Sequence, residues 1–335
     1  MKVAVVHQPA PIESHPIRYE EVPQPRPAAG ELLIRVLACG VCRTDLHVTE
    51  GDLPPRGSRI VPGHEVVGVV ESCGAGVSNF RPGERAGIAW LRETCGVCKY
   101  CLRGAENLCP NARFTGYDHD GGYAEYAVIR ADYAYHLPEN LDVDATAPLL
   151  CAGIIGYRAL KRAAVRPGST VGLYGFGGSA HISLQVARYW GCRVFVMTRG
   201  GAHREHAREM GADWVGTAQQ TPPEPLDSAI LFAPAGELVP PAMAALDRGG
   251  VLAVAGIYLS PVPRLDYPRE LFYEKELRSV TANTRTDGQE FLELASRIPI
   301  RPTVHRFAFD EANRALEMLK HDQLKGAGVL HLADA

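Results

Sequence analysis

Apolar, β-branched runs broken by glycine and proline dominate the chain up to about residue 150, with clear examples at 32–37, 66–70 and 123–129. Short runs of this kind, bounded by turn residues, predict an all-β unit with long loops. Beyond Pro167 and Gly168 the texture changes. An apolar strand at 171–174 leads into a helical segment with Ile182, Val186, Ala187 and Trp190 facing inward, and a second strand follows at 194–197. Further strands are predicted at 228–232 and 251–255, with a helix over about 237–246 between them. Strands alternating with helices imply a parallel sheet covered on both faces.

Beyond about residue 285 two more helices are signalled. Asp287 with Glu290 three residues on has the pattern of a capping box, and Asp310 precedes Ala312, Ala315, Leu316 and Leu319. Neither helix has a strand partner in the α/β segment. The tail is therefore expected to return to the N-terminal unit and make it discontinuous. The expected division is 1–150 for the β domain, 151–284 for the parallel-sheet domain and 285–335 for the returning segment.

A length of 335 residues fits two domains, because single cores stop growing near roughly 250–300 residues. With 46% hydrophobic and 22% charged residues the composition is that of an ordinary globular protein, which argues against disorder. No apolar run approaches the roughly 18 residues that span a bilayer. The apolar start meets His7 and Pro9 too early for a secretion signal, so a cytoplasmic protein without membrane contact is expected. A net charge of −3 gives a polyanion no reason to bind, which disfavours nucleic acid as a partner.

Nine cysteines without a leader read as metal ligands or buried thiols rather than disulfides. Cys39, Cys73 and Cys192 have no chemical company and read as small buried apolar residues. The other six do. Cys95-x2-Cys98-x2-Cys101-x7-Cys109 places four thiols in one short loop, where Gly96 and Gly104 let the chain fold around a common centre. Four thiolates make a closed tetrahedral site that suits a structural Zn2+. An iron–sulfur cluster is the rival. Zinc is favoured because the fourth cysteine lies outside the bacterial ferredoxin run and no second set exists. Arg92, Glu93, Lys99, Arg103 and Glu106 mark the loop as surface, where bare thiols this close would oxidise.

Three further segments gain meaning together: 39–47 with Cys42, Pro62-Gly63-His64-Glu65, and 148–153 with Cys151. With the four-cysteine loop between them in order, the chain strongly resembles the zinc-containing medium-chain alcohol dehydrogenases over essentially its whole length. The resemblance implies a GroES-like β domain plus a Rossmann domain, with the active site in the cleft between them. It also implies a catalytic zinc on Cys42, His64 and Cys151, three ligands that leave a fourth position for water or a substrate oxygen. Glu65 matches a glutamate just behind the metal. Asp45 matches a carboxylate that orients the ligand histidine. Thr44 and His47 match a proton relay, and Trp90 matches an aromatic residue lining the substrate pocket. Bulk at that position points to small or slender primary alcohols and aldehydes.

Gly175-Phe176-Gly177-Gly178-Ser179-Ala180 follows a predicted strand and opens a helix, the context a dinucleotide fingerprint requires. Arg43 matches a residue of the family that reaches the cofactor pyrophosphate. About 20 residues past the glycines, where NAD-specific proteins carry an acidic residue, stand Thr198 and Arg199. Without a carboxylate to repel a 2′-phosphate, and with Arg199 able to pair with one, NADP(H) is favoured over NAD(H).

The expectation is thus a zinc-dependent alcohol dehydrogenase or aldehyde reductase with two zinc ions per chain, acting on small molecules as a homodimer or homotetramer. Within the same superfamily a polyol or formaldehyde dehydrogenase is the alternative. A nucleic-acid-binding zinc module would need a basic face that is missing here. A catalytically silent relative would have no use for an open metal position.

Overall fold

The computed structural model describes residues 1–333. The chain forms two compact units: Met1–Cys151 joined by the segment that begins at Ala282, and Ala152–Thr281.

The first unit is built on a seven-stranded sheet. Strands Val304–Ala308, Ala327–His331, Glu31–Val41, Val66–Cys73, Arg85–Ile88 and Tyr135–His136 lie in that order, and Tyr126–Arg130 also pairs with Glu31–Val41. Apart from Glu31 and Arg35, every residue of Glu31–Val41 is apolar or glycine, so this strand is covered on both faces and makes the centre of the core. Leu32, Ile34, Val36, Val66 and Ile88 pack there with Phe307, Leu316 and Leu330 from the returning segment. A fully buried side chain of this size contributes about 1.5–3 kcal/mol, which makes the tail a structural part of this core.

Three local expectations need correction. The tail carries two strands as well as two helices: Val304–Ala308 pairs parallel with Ala327–His331, which joins Glu31–Val41 with Leu330 opposite Cys39. Neither segment has the continuous apolar run that marks the other strands, since His305 and Arg306 interrupt the first and Gly328 and His331 weaken the second. The capping box lies one turn earlier than the Asp287–Glu290 pair suggested. Thr284 Oγ1 accepts the Asp287 amide at 3.1 Å while Asp287 Oδ2 accepts the Thr284 amide at 2.9 Å, so the helix is Arg285–Arg297. Finally, the β unit contains a helix, Arg43–Glu50. Cys42 is its extended N-cap, and Asp45 accepts the Cys42 amide at 2.9 Å, placing an anion at the positive end of the first turn. Gly51 stops the helix at φ +86°, the left-handed conformation that glycine adopts without strain.

The second unit is a doubly wound parallel sheet. Its strands lie in the order Trp214–Gly216, Arg193–Met197, Thr170–Tyr174, Leu226–Leu231, Leu246–Val254 and Glu276–Ser279, all parallel. The order reverses beside Thr170–Tyr174, and ligands of such sheets bind at that switch point. Helix Gly178–Tyr189 buries Ile182, Val186 and Ala187, whereas Trp190 lies past its last turn and is half-buried rather than inward. Among the described residues no single helix is long and apolar enough to cross a membrane.

His181, fully buried in the first turn of that helix, gives the fold a pH dependence. Burial lowers its pKa to about 4, and the neighbouring His206 ring adds to the effect. The unfolded chain takes up this proton near pH 6.5. Between about pH 6.5 and 4 the unfolded state therefore binds more protons, so stability is full above this window and declines as pH falls through it. The loss amounts to at most about 3 kcal/mol. Urea midpoints measured across the window should fall less steeply in His181→Leu than in the parent protein; parallel curves would refute this.

Candidate active site

The end of strand Glu31–Val41 delivers Cys42 to the start of helix Arg43–Glu50, and the loop before strand Val66–Cys73 delivers His64 and Glu65. Gly63 makes that delivery possible: at φ +98° it sits where a Cβ would come within 2.8 Å of the Tyr123 amide and 2.9 Å of Cys39 Sγ. Cys151 stands between a 3-10 turn, Ala147–Leu150, and helix Ala152–Arg162. One potential ligand atom from each of Cys42, His64, Glu65 and Cys151 falls within 4.8 Å of the others.

Asp45 organises this set. Its carboxylate is buried and accepts from the Cys42 amide at 2.9 Å, the Gly63 amide at 3.1 Å and His64 Nδ1 at 2.8 Å. With Nδ1 carrying the proton toward Asp45, the lone pair on Nε2 is left to face the sulfurs. Nε2 is buried without a hydrogen-bond partner, a costly arrangement for a polar atom unless something fills it. Cys42 Sγ and Cys151 Sγ lie 3.9 Å apart. The adjacent Cys151 thiol, and then His64, hold the Cys42 thiol well below its ordinary range, while Cys42 in turn drives Cys151 well above it. Burial, followed by the nearby Cys42, pushes the Glu65 carboxyl up. Two sulfurs and an orphaned imidazole nitrogen, with the Glu65 carboxyl in the same cluster, fit a tetrahedral Zn2+ held by three ligands with a fourth position to spare.

Thr44 is buried on the first turn with Oγ1 3.9 Å from Cys42 Sγ. His47, one turn on, is bound through Nδ1 to the exposed carboxylate of Asp52 at 2.7 Å. Trp90 follows strand Arg85–Ile88 and meets the His64 ring edge-on at 5.0 Å. Arg43 pairs with Asp322 at 2.6 Å.

The four-cysteine loop brings its sulfurs together. Cys98 and Cys109 lie 3.5 Å from Cys101 and Cys95 respectively, and Cys95 and Cys101 are 4.0 Å apart. Backbone amides of Val97 and Cys98 bring the Cys95 thiol down to about 6, whereas burial raises Cys109 to about 11. All four sulfurs fall within 4.8 Å of one another, a donor set that fits structural zinc.

In the second unit Gly175 has φ +91°, and a Cβ there would approach Ala233 N to 3.0 Å. A Cβ on Gly177 would meet nothing within 4 Å, so the turn leaves open backbone at the start of helix Gly178–Tyr189, as a pyrophosphate cradle needs. Thr198 directly follows strand Arg193–Met197, buried, with its amide bound to Gly216 O at 3.0 Å. Arg199 is exposed, and its carbonyl accepts from Arg204 at 2.8 Å. Sequence reasoning missed Asp52, Phe114 and Tyr117. Phe114 and Tyr117 meet the Trp90 ring only through the pairing of two very short strands and the turn that follows the second, which no spacing announces.

Residues 28–139 match the alcohol dehydrogenase GroES-like domain and residues 178–297 the zinc-binding dehydrogenase domain. A protein of Mycobacterium tuberculosis described as "Probable alcohol dehydrogenase AdhA" is 53% identical over 97% of this chain and 95% of its own length. Among solved structures, a cinnamyl alcohol dehydrogenase of Sorghum bicolor is 28% identical, with a TM-score of 0.89 over 98% of this chain and 97% of that one. The CAD of Helicobacter pylori, solved with NADP(H), is 25% identical with a TM-score of 0.87 over 99% of both chains. By its matched domains, its fold and its relatives, the chain belongs to the zinc-containing medium-chain alcohol dehydrogenases.

Proposed function

We propose that this alcohol dehydrogenase is zinc-dependent and moves a hydride reversibly between small primary alcohols or aldehydes and NADP(H). The observation that carries the reading is the cluster of Cys42, His64, Glu65 and Cys151, in which buried His64 Nε2 has no hydrogen-bond partner although two cysteine sulfurs lie close by. Cys42, His64 and Cys151 would hold a catalytic zinc, and Cys95, Cys98, Cys101 and Cys109 a structural one. Zinc at the first set supplies Lewis-acid polarisation of the substrate oxygen. The chain's own residues handle the rest. Asp45 keeps His64 in the tautomer that offers Nε2, and Glu65 stands behind the donors. Thr44 accepts the hydroxyl proton, and His47, three residues on along the same helix face, passes it outward. Backbone amides at Gly175, Gly177 and Gly178 cradle the pyrophosphate, Arg43 supplies a positive charge to it, and Trp90 narrows the substrate space. Homodimer or homotetramer assembly completes the reading.

A spectrophotometric scan of short alcohols, aldehydes, polyols and formaldehyde with each nicotinamide cofactor tests it. Small primary alcohols should give the highest kcat/KM; a polyol or formaldehyde optimum would assign the chain to another branch of the superfamily.

Cofactor choice should follow Thr198 and Arg199. A charge-assisted contact to the 2′-phosphate contributes about 1.5–3 kcal/mol, or at least about tenfold in specificity. Thr198→Asp combined with Arg199→Leu should reverse the preference, because the new carboxylate binds ribose hydroxyls and repels phosphate. A parent enzyme that clearly prefers NADH would show that the discriminating contact lies elsewhere.

A further inference from the structure

Three aromatic rings stand together beside the buried His64. Trp90 meets its imidazole edge-on, with ring planes at 70°. Phe114 lies near-parallel to Trp90, at 4.8 Å and 17°, and Tyr117 does so at 6.0 Å and 22°. These separations fall in the range where ring pairs attract each other beyond simple burial. Two short strands build the group. Leu91–Glu93 and Arg113–Phe114 bracket the four-cysteine loop, Leu91 pairs with Phe114, and the Thr115 amide donates to the Trp90 carbonyl at 2.9 Å.

Tyr117 is held from a third direction. Its hydroxyl donates to the Pro54 carbonyl at 2.8 Å and accepts from Arg56 Nε at 3.2 Å, while the Arg56 guanidinium lies 5.3 Å from the ring centroid. The segment carrying Pro54 and Arg56 follows the helix that bears Thr44 and His47. Asp118 fixes the turn between the two aromatic residues by accepting the Phe114 amide at 2.9 Å.

We propose that Phe114 and Tyr117 are positioning residues that lock the Trp90 indole beside the donor set and so set the enzyme's discrimination against alcohols branched at the carbinol carbon. The inference rests on the reading of Trp90 as a wall of the substrate space. An indole with open space around it can turn about its side-chain torsions and make room for a branch. One stacked against two anchored rings must break both contacts to do so. A wall that does not yield is what turns one extra methyl group into a difference of about 10–200-fold.

The test compares kcat/KM for 2-butanol and 1-butanol, which share their carbon count and differ in whether the carbinol carbon carries two alkyl groups or one, using the holoenzyme; their intrinsic difference in reactivity cancels when each variant's ratio is set against the parent's. Trp90→Ala should raise the 2-butanol to 1-butanol ratio by about tenfold or more. Phe114→Ala and Tyr117→Ala should each raise it several-fold, chiefly through a lower KM for 2-butanol, and Phe114→Tyr, which keeps the ring, should restore the parent ratio. Should Phe114→Ala fail to fold, Phe114→Leu removes the ring while retaining bulk. In a Trp190→Phe, Trp214→Phe background Trp90 is the sole tryptophan, and its fluorescence anisotropy should drop when Phe114 is removed. Parent ratios in the Phe114 and Tyr117 variants, beside a broadened Trp90→Ala, would overturn the proposal and leave the Trp90 reading standing. An unchanged ratio in Trp90→Ala would overturn both.

Discussion

Cys42→Ser is expected to cost the protein one metal ion and at least about 10³ in turnover while leaving its fold in place. Serine is a poor zinc ligand, and Lewis-acid stabilisation contributes several kcal/mol to such reactions. The fold should survive because Cys42 is held through its backbone: its amide bonds Asp45, and serine is a good N-cap residue. Cys98→Ser should do the reverse in kind. Its loop has few buried apolar side chains of its own, since Val97 and Leu102 are 77% and 75% exposed, so the metal is what closes it. Structural zinc supplies folding free energy directly, and loss of a ligand should lower the melting temperature by many degrees. Metal analysis, circular dichroism and melting curves on both variants separate the two roles. Undiminished turnover in Cys42→Ser would remove the catalytic assignment, and an unshifted melt in Cys98→Ser the structural one.

Thr44→Ala should lower kcat by about 10² to 10⁴, the usual contribution of a group that moves a proton in the rate-limiting step. The hydroxyl is buried next to the Cys42 sulfur, so solvent cannot take its place readily. His47 stands farther out, partly exposed and bonded to Asp52. His47→Gln should therefore slow turnover less and recover as small buffer bases are added, because solvent can bypass the outer member of a relay. Steady-state rates against buffer concentration distinguish the two positions. A Thr44→Ala enzyme with parent kinetics would mean the proton leaves by another route.

The division of legible from illegible features follows the physics of each. The four-cysteine loop could be read because four thiols crowded into one short surface stretch oxidise unless a metal holds them, and the glycine turn because it sits between a strand and a helix. Four strands of the parallel sheet are legible as continuous apolar runs between turn residues, although Leu246–Val254 begins five residues before its apolar run; the two edge strands, Trp214–Gly216 and Glu276–Ser279, are short or mostly polar and carry no such run. The helix Arg43–Glu50 was not read from its pattern. Its start depends on Asp45 reaching back to the Cys42 amide, and the same carboxylate is spent on Gly63 and His64 from a distant loop. The short strands at 304–308 and 327–331 form through pairing with each other and with Glu31–Val41, a long-range relation that local periodicity does not encode. Phe114 and Tyr117 escaped notice for the same reason: what makes them matter is their position against Trp90.

Zinc content measured together with alcohol oxidation tests the assignment of zinc catalysis most directly. Purified protein should carry two zinc ions per chain. Removing the catalytic ion with a chelator should abolish alcohol-dependent reduction of NADP+, and added Zn2+ should restore it. Full turnover in protein freed of all metal would contradict that assignment.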